Sequence, residues 1–373
     1  MSTRLERLRA LLIDRHLDSV LITHPNNRFY LSGYSGEDDP PNESAGVLLL
    51  SADRELLLTG ATNEAWAAAE APNWTVQQWD RPWTGTVAKL LTEWEARRVG
   101  FEEDAINVST YNELIATLEN SVELVRLGDT VDQLRLIKDE AEQRAMAQVI
   151  DLTDRAFVAA TSDLQAGITE KELAWRIEQR IREFGGDGLA FPVIVAAGPH
   201  AARPHHNPTE RQIEDGEAII IDMGARLAGY NGDLTRTIWL GEPGPRLFEI
   251  YDIVRRAQEA ALAFLGAGVT GKEADKAARQ VIDEAGYGEY FTHGLGHGLG
   301  VRVHEAPNAS KASENILVAG SVLTVEPGIY VPDWGGVRIE DVGIVRDDGF
   351  EVLTRAPKRV PGADSVAFRE YAR

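Results

Sequence analysis

The amino-acid sequence predicts an α+β protein of two domains: an N-terminal α/β domain over residues 1–128 and a C-terminal domain over 129–373 built on an internal repeat. Three observations predict it. Short apolar runs alternate with helical spacing up to about residue 128. Two segments, AGITEKE at 166–172 and AGVTGKE at 267–273, nearly coincide. Each is followed further on by a glycine, an apolar strand and an acid, GEAIIIDMG at 216–224 and GSVLTVEPG at 320–328.

In the first domain, Leu5, Leu8, Leu11 and Leu12 line one face of an opening helix. SVLIT (19–23), GVLLL (46–50), RELLLT (54–59) and RRVGFE (97–102) read as strands of a mixed sheet, with helices near 62–70, 85–96 and 110–119. The loop GYSGEDDPPNES (33–44) is rich in glycine, proline and acid. Its acids, Glu37 to Asp39, read either as a solvated loop or as a segment that reaches a catalytic site, the chain's own or a dimer partner's, and binds a substrate α-amino group. One long helix is expected after Asp129 or Thr130, running through LRLIKDEAEQRAMAQVIDLTDRAF and opening the second domain.

Within the repeat, Thr169 with Glu172 and Thr270 with Glu273 form the Thr-x-x-Glu capping box, in which each side chain satisfies a free backbone N–H at a helix start. Both helices run to a glycine stop, FGG near 184–186 and AGYG near 285–288. The strands that follow carry Asp222 and Glu326, and a second strand in each copy ends on Asp233 and Glu340. Two such units related by a pseudo-twofold axis should meet at a shared sheet, with the four acids at its centre.

Composition sets the boundaries. The balance of 38 basic against 59 acidic residues, a net charge of −21, argues against nucleic acid or an anionic membrane as partner. Cysteine is absent, so any metal must be held by imidazole and carboxylate. The N-terminal stretch is charged and amphipathic, and no apolar run approaches the roughly 18 residues needed to span a bilayer. The expected location is cytoplasmic.

Asp222 follows Ile219-Ile220-Ile221 and Glu326 follows VLTV, so both acids close buried-looking strands. Four buried carboxylates would repel one another and resist ionisation. Two divalent cations cancel their charge and leave room for a bridging hydroxide. The segment HGLGHGLGVRVHE (293–305) supplies His293, His297 and His304 between glycines that disfavour a helix. Read as extended chain, His293 and His297 share a face and the glycines let another backbone or a ligand approach. His304 breaks that parity, so a bend or bulge must intervene. One imidazole with four acids suits Mn²⁺, Co²⁺, Zn²⁺ or Fe²⁺, and two ions sharing carboxylates suit hydrolysis.

Taken together, Asp222 and Asp233, HGLGHGLGVRVHEAP, TVEPGIY and RIED resemble the pita-bread-fold metallopeptidases of the Xaa-Pro branch, aminopeptidase P and prolidase. The resemblance spans the chain and implies a creatinase-type N-terminal domain followed by a pita-bread catalytic domain. It implies metal ligands Asp222, Asp233, His297, Glu326 and Glu340, with Asp233 and Glu340 bridging two divalent ions, manganese first and cobalt or zinc as alternatives. Glu326 would also shuttle protons, His293 and His304 would contact substrate and stabilise the tetrahedral intermediate, and His205 and Arg338 would line the pocket. Arg338, two residues before Glu340, is expected on the same strand face. The expected reaction is release of the first residue from Xaa-Pro peptides through a metal-bridging hydroxide, with Xaa-Pro dipeptidase as the alternative. Asn308 stands where many prolidases carry an arginine that holds the dipeptide's carboxylate. A metal-free creatinase-like amidinohydrolase is the more remote alternative. The expected partners are proline-containing peptides and a second copy of the chain.

Overall fold

The computed structural model describes residues 3–38, 40, 43–119 and 121–358, and it divides into two compact units after Arg135. The first unit runs α1 (Arg4–Asp14), β1 (Ser19–Ile22), α2 (Pro25–Ser32), β2 (Val47–Ser51), β3 (Glu55–Thr59), α3 (Glu64–Glu70), β4 (Thr75–Gln78), α4 (Trp83–Glu93), β5 (Arg98–Phe101), α5 (Val108–Leu118), β6 (Glu123–Arg126) and α6 (Thr130–Leu136). Its sheet has the order β4-β3-β2-β1-β5-β6. The β1–β2 and β2–β3 pairs are antiparallel and the other three parallel, the mixed sheet expected.

The expected boundary at 128 precedes α6, whereas the units part at its C-terminal end. Hydrogen bonds explain the difference: Arg15 donates to the Thr130 hydroxyl oxygen and the Tyr30 hydroxyl to Leu134 O, tying α6 to the first unit. The single long helix expected from residue 129 onward is instead two. Asp139 accepts from the backbone N–H of Ala141 and Glu142, while Glu142 returns a bond to the Asp139 N–H. This capping box starts a new helix, α7 (Glu140–Thr161), in the middle of the apolar run.

The second unit continues with α8 (Glu170–Glu183), β7 (Gly188–Leu189), β8 (Ile194–Ala197), β9 (Ile219–Met223), β10 (Ala225–Leu227), β11 (Tyr230–Asn231), β12 (Leu234–Ile238), α9 (Pro245–Phe264) and α10 (Gly271–Glu284). It ends with β13 (Gly296–Gly298), β14 (Glu305–Ala309), β15 (Val322–Val325), β16 (Gly328–Val331), β17 (Gly335–Arg338), β18 (Asp341–Arg346) and β19 (Gly349–Val352). The repeat is visible bond by bond. Both capping boxes form. Gly167 N–H donates to Ile213 O as Gly268 N–H does to Leu317 O. Lys171 pairs with Glu210 at 2.7 Å, and Lys272 with Glu314 at 2.9 Å.

The two halves do not share one hydrogen-bonded sheet. One half supplies β12-β9-β8 and the other β14-β13-β15-β18-β19, with β11-β10-β7 and the β16–β17 hairpin beside them. They are stitched where Glu340 N–H donates to Thr235 O at 3.1 Å. The Thr237 hydroxyl continues the seam, accepting from Arg338 N–H and donating to Arg338 O. A side chain thus takes over part of the backbone pairing along the seam. Behind it, Ile250, Val254 and Ala257 of α9 meet Ala274, Ala278 and Ile282 of α10 over Leu323, Val325 and Val345. All nine are buried, and each large aliphatic contributes about 1.5–3 kcal/mol.

Candidate metal centre and active site

Strand geometry places the acids. Asp222 sits on β9 opposite Thr235 of β12. Asp233 precedes β12 rather than ending it, and Glu340 occupies a two-residue step between β17 and β18. Arg338 ends β17, so the expected shared strand face with Glu340 does not exist. The two side chains approach the site from a strand and from the step after it. Glu326 follows β15 directly. Carboxylate oxygens of Asp222, Asp233 and Glu340 lie within 4.8 Å of one another.

The histidine segment bends as its parity required. β13 covers only Gly296–Gly298, and its pairing with β14 shifts register between His297 and Gly298. The glycines serve close backbone approach: a methyl on Gly296 would stand 2.0 Å from Thr324 O, and one on Gly298 2.2 Å from Ala306 O. Neighbouring strands press on both sides of His297 and fix where it points. His297 N–H donates to the Thr324 hydroxyl at 2.9 Å, and Nδ1 lies 3.1 Å from Gly298 O. A carbonyl only accepts, so Nδ1 carries the proton and Nε2 is left for the site. Nε2 stands 3.2 Å from Glu326 and 3.8 Å from Asp233.

His293 is held differently. Its Nδ1 donates to Gly294 O at 2.7 Å, and its Nε2 lies 2.8 Å from the Tyr330 hydroxyl. Burial keeps this imidazole below its usual pKa and hence neutral, so Tyr330 O–H donates to Nε2. Tyr330 in turn accepts from Arg338 Nη1 at 2.8 Å. Arg338 also donates through Nη2 to Asp222 at 2.7 Å and through Nε to the Thr235 hydroxyl at 3.1 Å. A continuous chain of donors thus links His293 to Asp222, and all three guanidinium nitrogens are engaged. His304 is exposed, with its ring edge-on to His297 at 4.3 Å. His205 is exposed on the cavity wall.

Electrostatics show why this cluster calls for cations. Burial raises the carboxyl of Asp233 well above its usual range, reinforced by Glu340, Asp222 and Glu326. Burial also raises Asp222, with Arg338 opposing. Burial and the charges of Glu326 and Asp222 push Glu340 up to about 8. On His297, burial works against the imidazolium, but the bond to Glu326 and its charge prevail and push the pKa to about 9. Burial would raise Glu326, yet His297 holds it down at about 2. A proton on His297 therefore does in part what a cation would do in full. Two acceptors, Asp222 Oδ1 and Glu340 Oε1, are buried with no hydrogen-bond partner among the described residues. An unmatched buried acceptor costs about 1–3 kcal/mol, a penalty that a divalent cation on the same oxygens would lift. The donor set therefore fits hard divalent ions.

The nine residues expected from the sequence, Asp222, Asp233, His297, Glu326, Glu340, His293, His304, His205 and Arg338, all line one cavity of about 1160 Å³. Sequence reasoning missed Tyr330, which TVEPGIY contains, and the threonines Thr235 and Thr324, whose alternation with acids on the strands was the available signal. In the first unit, Asp38 of the acidic loop accepts from Arg28 at 2.9 Å and from the Ala45 N–H at 2.8 Å, while Asp39 lies outside the described residues. Asp38 is thus a structural partner of a buried arginine.

A pseudo-symmetric pair of β-units that gathers carboxylates and an imidazole in this way defines a metal-dependent hydrolase. Residues 144–347 match metallopeptidase family M24, and residues 4–137 match the creatinase/prolidase N-terminal domain. The chain belongs to metallopeptidase family M24, with a creatinase-type N-terminal domain and a pita-bread C-terminal domain. Among solved structures it is similar to the Xaa-Pro dipeptidase from Bacillus anthracis, with 37% identity, 96% of this chain and 98% of that one covered, and a TM-score of 0.90. It is also similar to the X-Pro aminopeptidase from Thermotoga maritima, with 34% identity, 96% and 99% coverage and a TM-score of 0.88. The prolidase from Pyrococcus horikoshii shares 34% identity over 95% of this chain and 99% of its own, with a TM-score of 0.88. No helix among the described residues is long and apolar enough to cross a membrane.

Proposed function

We propose that the protein is a two-metal Xaa-Pro peptidase acting on proline-containing peptides, and that dipeptides are its substrates. The observation that carries the peptidase reading is the convergence of three mutually destabilised carboxylates with His297 and Glu326 at one cavity. The dipeptidase reading rests on the likeness to the Bacillus anthracis and Pyrococcus horikoshii enzymes. It is preferred here to the aminopeptidase expected from Asn308.

Asp222, Asp233, His297, Glu326 and Glu340 would hold the two cations, with manganese the first choice for such an oxygen-rich set. When bound, the ions acidify a water and polarise a carbonyl. The chain's residues supply the rest. Glu326, ionised and hydrogen-bonded by the Thr324 hydroxyl at 3.1 Å, accepts a proton from the attacking water. It then returns that proton to the prolyl nitrogen, which as a tertiary amide has no hydrogen of its own. Arg338 holds Asp222 in place through its 2.7 Å bond and favours its ionised form against burial. Tyr330 locks His293 in one tautomer, and His304 and His205 meet the peptide from the wall.

One observation favours the aminopeptidase as second reading. Arg338 is the only arginine or lysine among the described residues lining the cavity, and its three nitrogens are already bonded. A dipeptide's carboxylate would then rely on imidazoles. The test is a chelated enzyme restored with Mn²⁺ or Co²⁺ and assayed on Xaa-Pro, Xaa-Pro-Yaa and Met-Ala. Cleavage of Xaa-Pro above Xaa-Pro-Yaa supports the proposal. The reverse order supports the second reading, and preference for Met-Ala refutes both.

A further inference from the structure

Outside the acid cluster, Glu170 is the second place where titratable groups converge. It is the first residue of α8, directly after the capping Thr169, and its side chain is fully buried. Five donors reach its carboxylate. Oε1 accepts from Ala197 N–H and His200 Nδ1, both at 2.9 Å. Oε2 accepts from His206 Nε2 at 3.0 Å, Thr209 N–H at 3.0 Å and the Thr209 hydroxyl at 2.7 Å. Burial would raise this carboxyl, but these bonds hold it at about 2.

The donors lie on one segment, 197–209, which contains the cavity residues Pro204, His205, His206 and Asn207. The internal repeat shows what is special here. Gly271 stands where Glu170 does, and a methyl on it would meet Asn308 O at 2.1 Å and Ser313 Oγ at 2.6 Å. In the second copy the matching wall rests directly on the helix start. In the first copy the wall hangs from a carboxylate.

Glu170, His200 and His206 also have the composition of a metal site, with ligand atoms within 4.8 Å. Saturation decides against it. A carboxylate offers about four lone-pair positions, and five donors already compete for them, two of them backbone N–H groups that cannot turn away. A cation would find no oxygen to take.

We infer that Glu170 is a positioning residue, which fixes the cavity wall 197–209 and through it sets where His205 meets the substrate. This rests on the proposed Xaa-Pro peptidase reading. The His205 side chain has no hydrogen bond among the described residues, so its place is set by its flanks, Pro204 and the clamped His206.

The test is a double-mutant cycle of Glu170→Gln and His205→Ala, assayed on an Xaa-Pro dipeptide, with metal content measured in each variant. Glutamine keeps the shape but aims an amide N–H₂ at one set of donors. The expected loss in kcat/KM for Glu170→Gln is about tenfold or more, carried by KM, as follows when bonds to a charged acceptor are lost. Metal content stays at the wild-type level. In the His205→Ala background Glu170→Gln adds no further loss, because both act through one contact. Thr209→Val, which removes a single donor, gives a smaller rise in KM that also vanishes in that background. Losses that multiply, or kinetics within twofold of wild type, would overturn the inference. So would loss of a bound ion from Glu170→Gln. Hydrogen–deuterium exchange reads the same clamp without substrate. Glu170→Gln should speed exchange at Ala197 and Thr209 while leaving β9 and β12 protected, and unchanged exchange there would refute the clamp. A wild-type enzyme inactive on every Xaa-Pro peptide would sink the proposed function alone, and the exchange measurement would still judge this inference.

Discussion

Glu102 makes the stability of the first unit depend on pH in a direction that can be worked out. Its side chain is almost wholly buried, and it accepts from Thr23 N–H at 2.6 Å, His24 N–H at 2.7 Å and Asn27 Nδ2 at 2.6 Å. Burial outweighs these bonds and pushes its pKa from 4.5 up to about 7. Each pKa unit is worth about 1.4 kcal/mol, so the rise amounts to about 3 kcal/mol. Between these two values the folded chain keeps a proton that the unfolded chain has lost. Stability from this group is therefore complete below pH 4.5 and lost as pH climbs through about 7. Glu102→Gln removes the titration at small structural cost. The glutamine oxygen can face the two backbone N–H groups while its N–H₂ meets Asn27 Oδ1, an atom with no partner among the described residues, once the Asn27 amide turns over. Urea unfolding followed by tryptophan fluorescence at pH 5 and pH 8 gives the comparison. The variant should gain on the wild type by about 3 kcal/mol between the two pH values. Identical pH dependence in the two proteins would refute the reasoning.

Three further outcomes follow from the site. Tyr330→Phe strands His293 Nε2 and Arg338 Nη1, and the loss of about 1–3 kcal/mol should lower kcat/KM roughly 5- to 150-fold with metal content unchanged; activity within twofold of wild type would contradict the donor chain. Gly296→Ala forces a methyl against Thr324 O, so β13 must leave β15 and carry His297 with it; weaker metal binding and a lower unfolding midpoint by titration calorimetry and thermal melts are expected, and wild-type values for both would contradict the close-approach argument. Arg338→Met leaves Asp222 buried beside the other acids without its cation, which should destabilise the metal-free protein by about 3–5 kcal/mol and the metal-loaded protein by less; an equal effect on both forms would count against charge as the cause.

The repeat and the acids were legible because they follow from local rules. Capping boxes write themselves as Thr-x-x-Glu, and an acid after a run such as Ile219-Ile220-Ile221 has few places to go. What stayed hidden is equally local. α2 is capped by the ring nitrogen of His24, outside the usual Ser, Thr, Asp and Asn set. β4 and β6 are the two edges of the first sheet, and each has two half-buried residues between exposed ends, so neither shows a long apolar run. The break between α6 and α7 lies inside a pattern that is periodic on both sides, where only the Asp139–Glu142 box marks it. Tyr330 and the threonines are invisible to a search for metal ligands, because they act on the ligands and not on the metal. Glu170 was signalled by a difference within the repeat, Glu in one copy and Gly in the other, and its meaning needed the wall to be seen.

The central claim is that Asp222, Asp233, His297, Glu326 and Glu340 together hold two divalent cations that hydrolysis requires. Elemental analysis of Mn²⁺-reconstituted wild type, Asp233→Asn and Glu340→Gln, with Xaa-Pro hydrolysis measured on the same samples, tests it most directly. Two ions per chain are expected in the wild type, at least one fewer in either variant, and hydrolysis lost in both. A wild type that binds no metal and keeps its activity through chelation, or a variant that hydrolyses at the full rate, would contradict it.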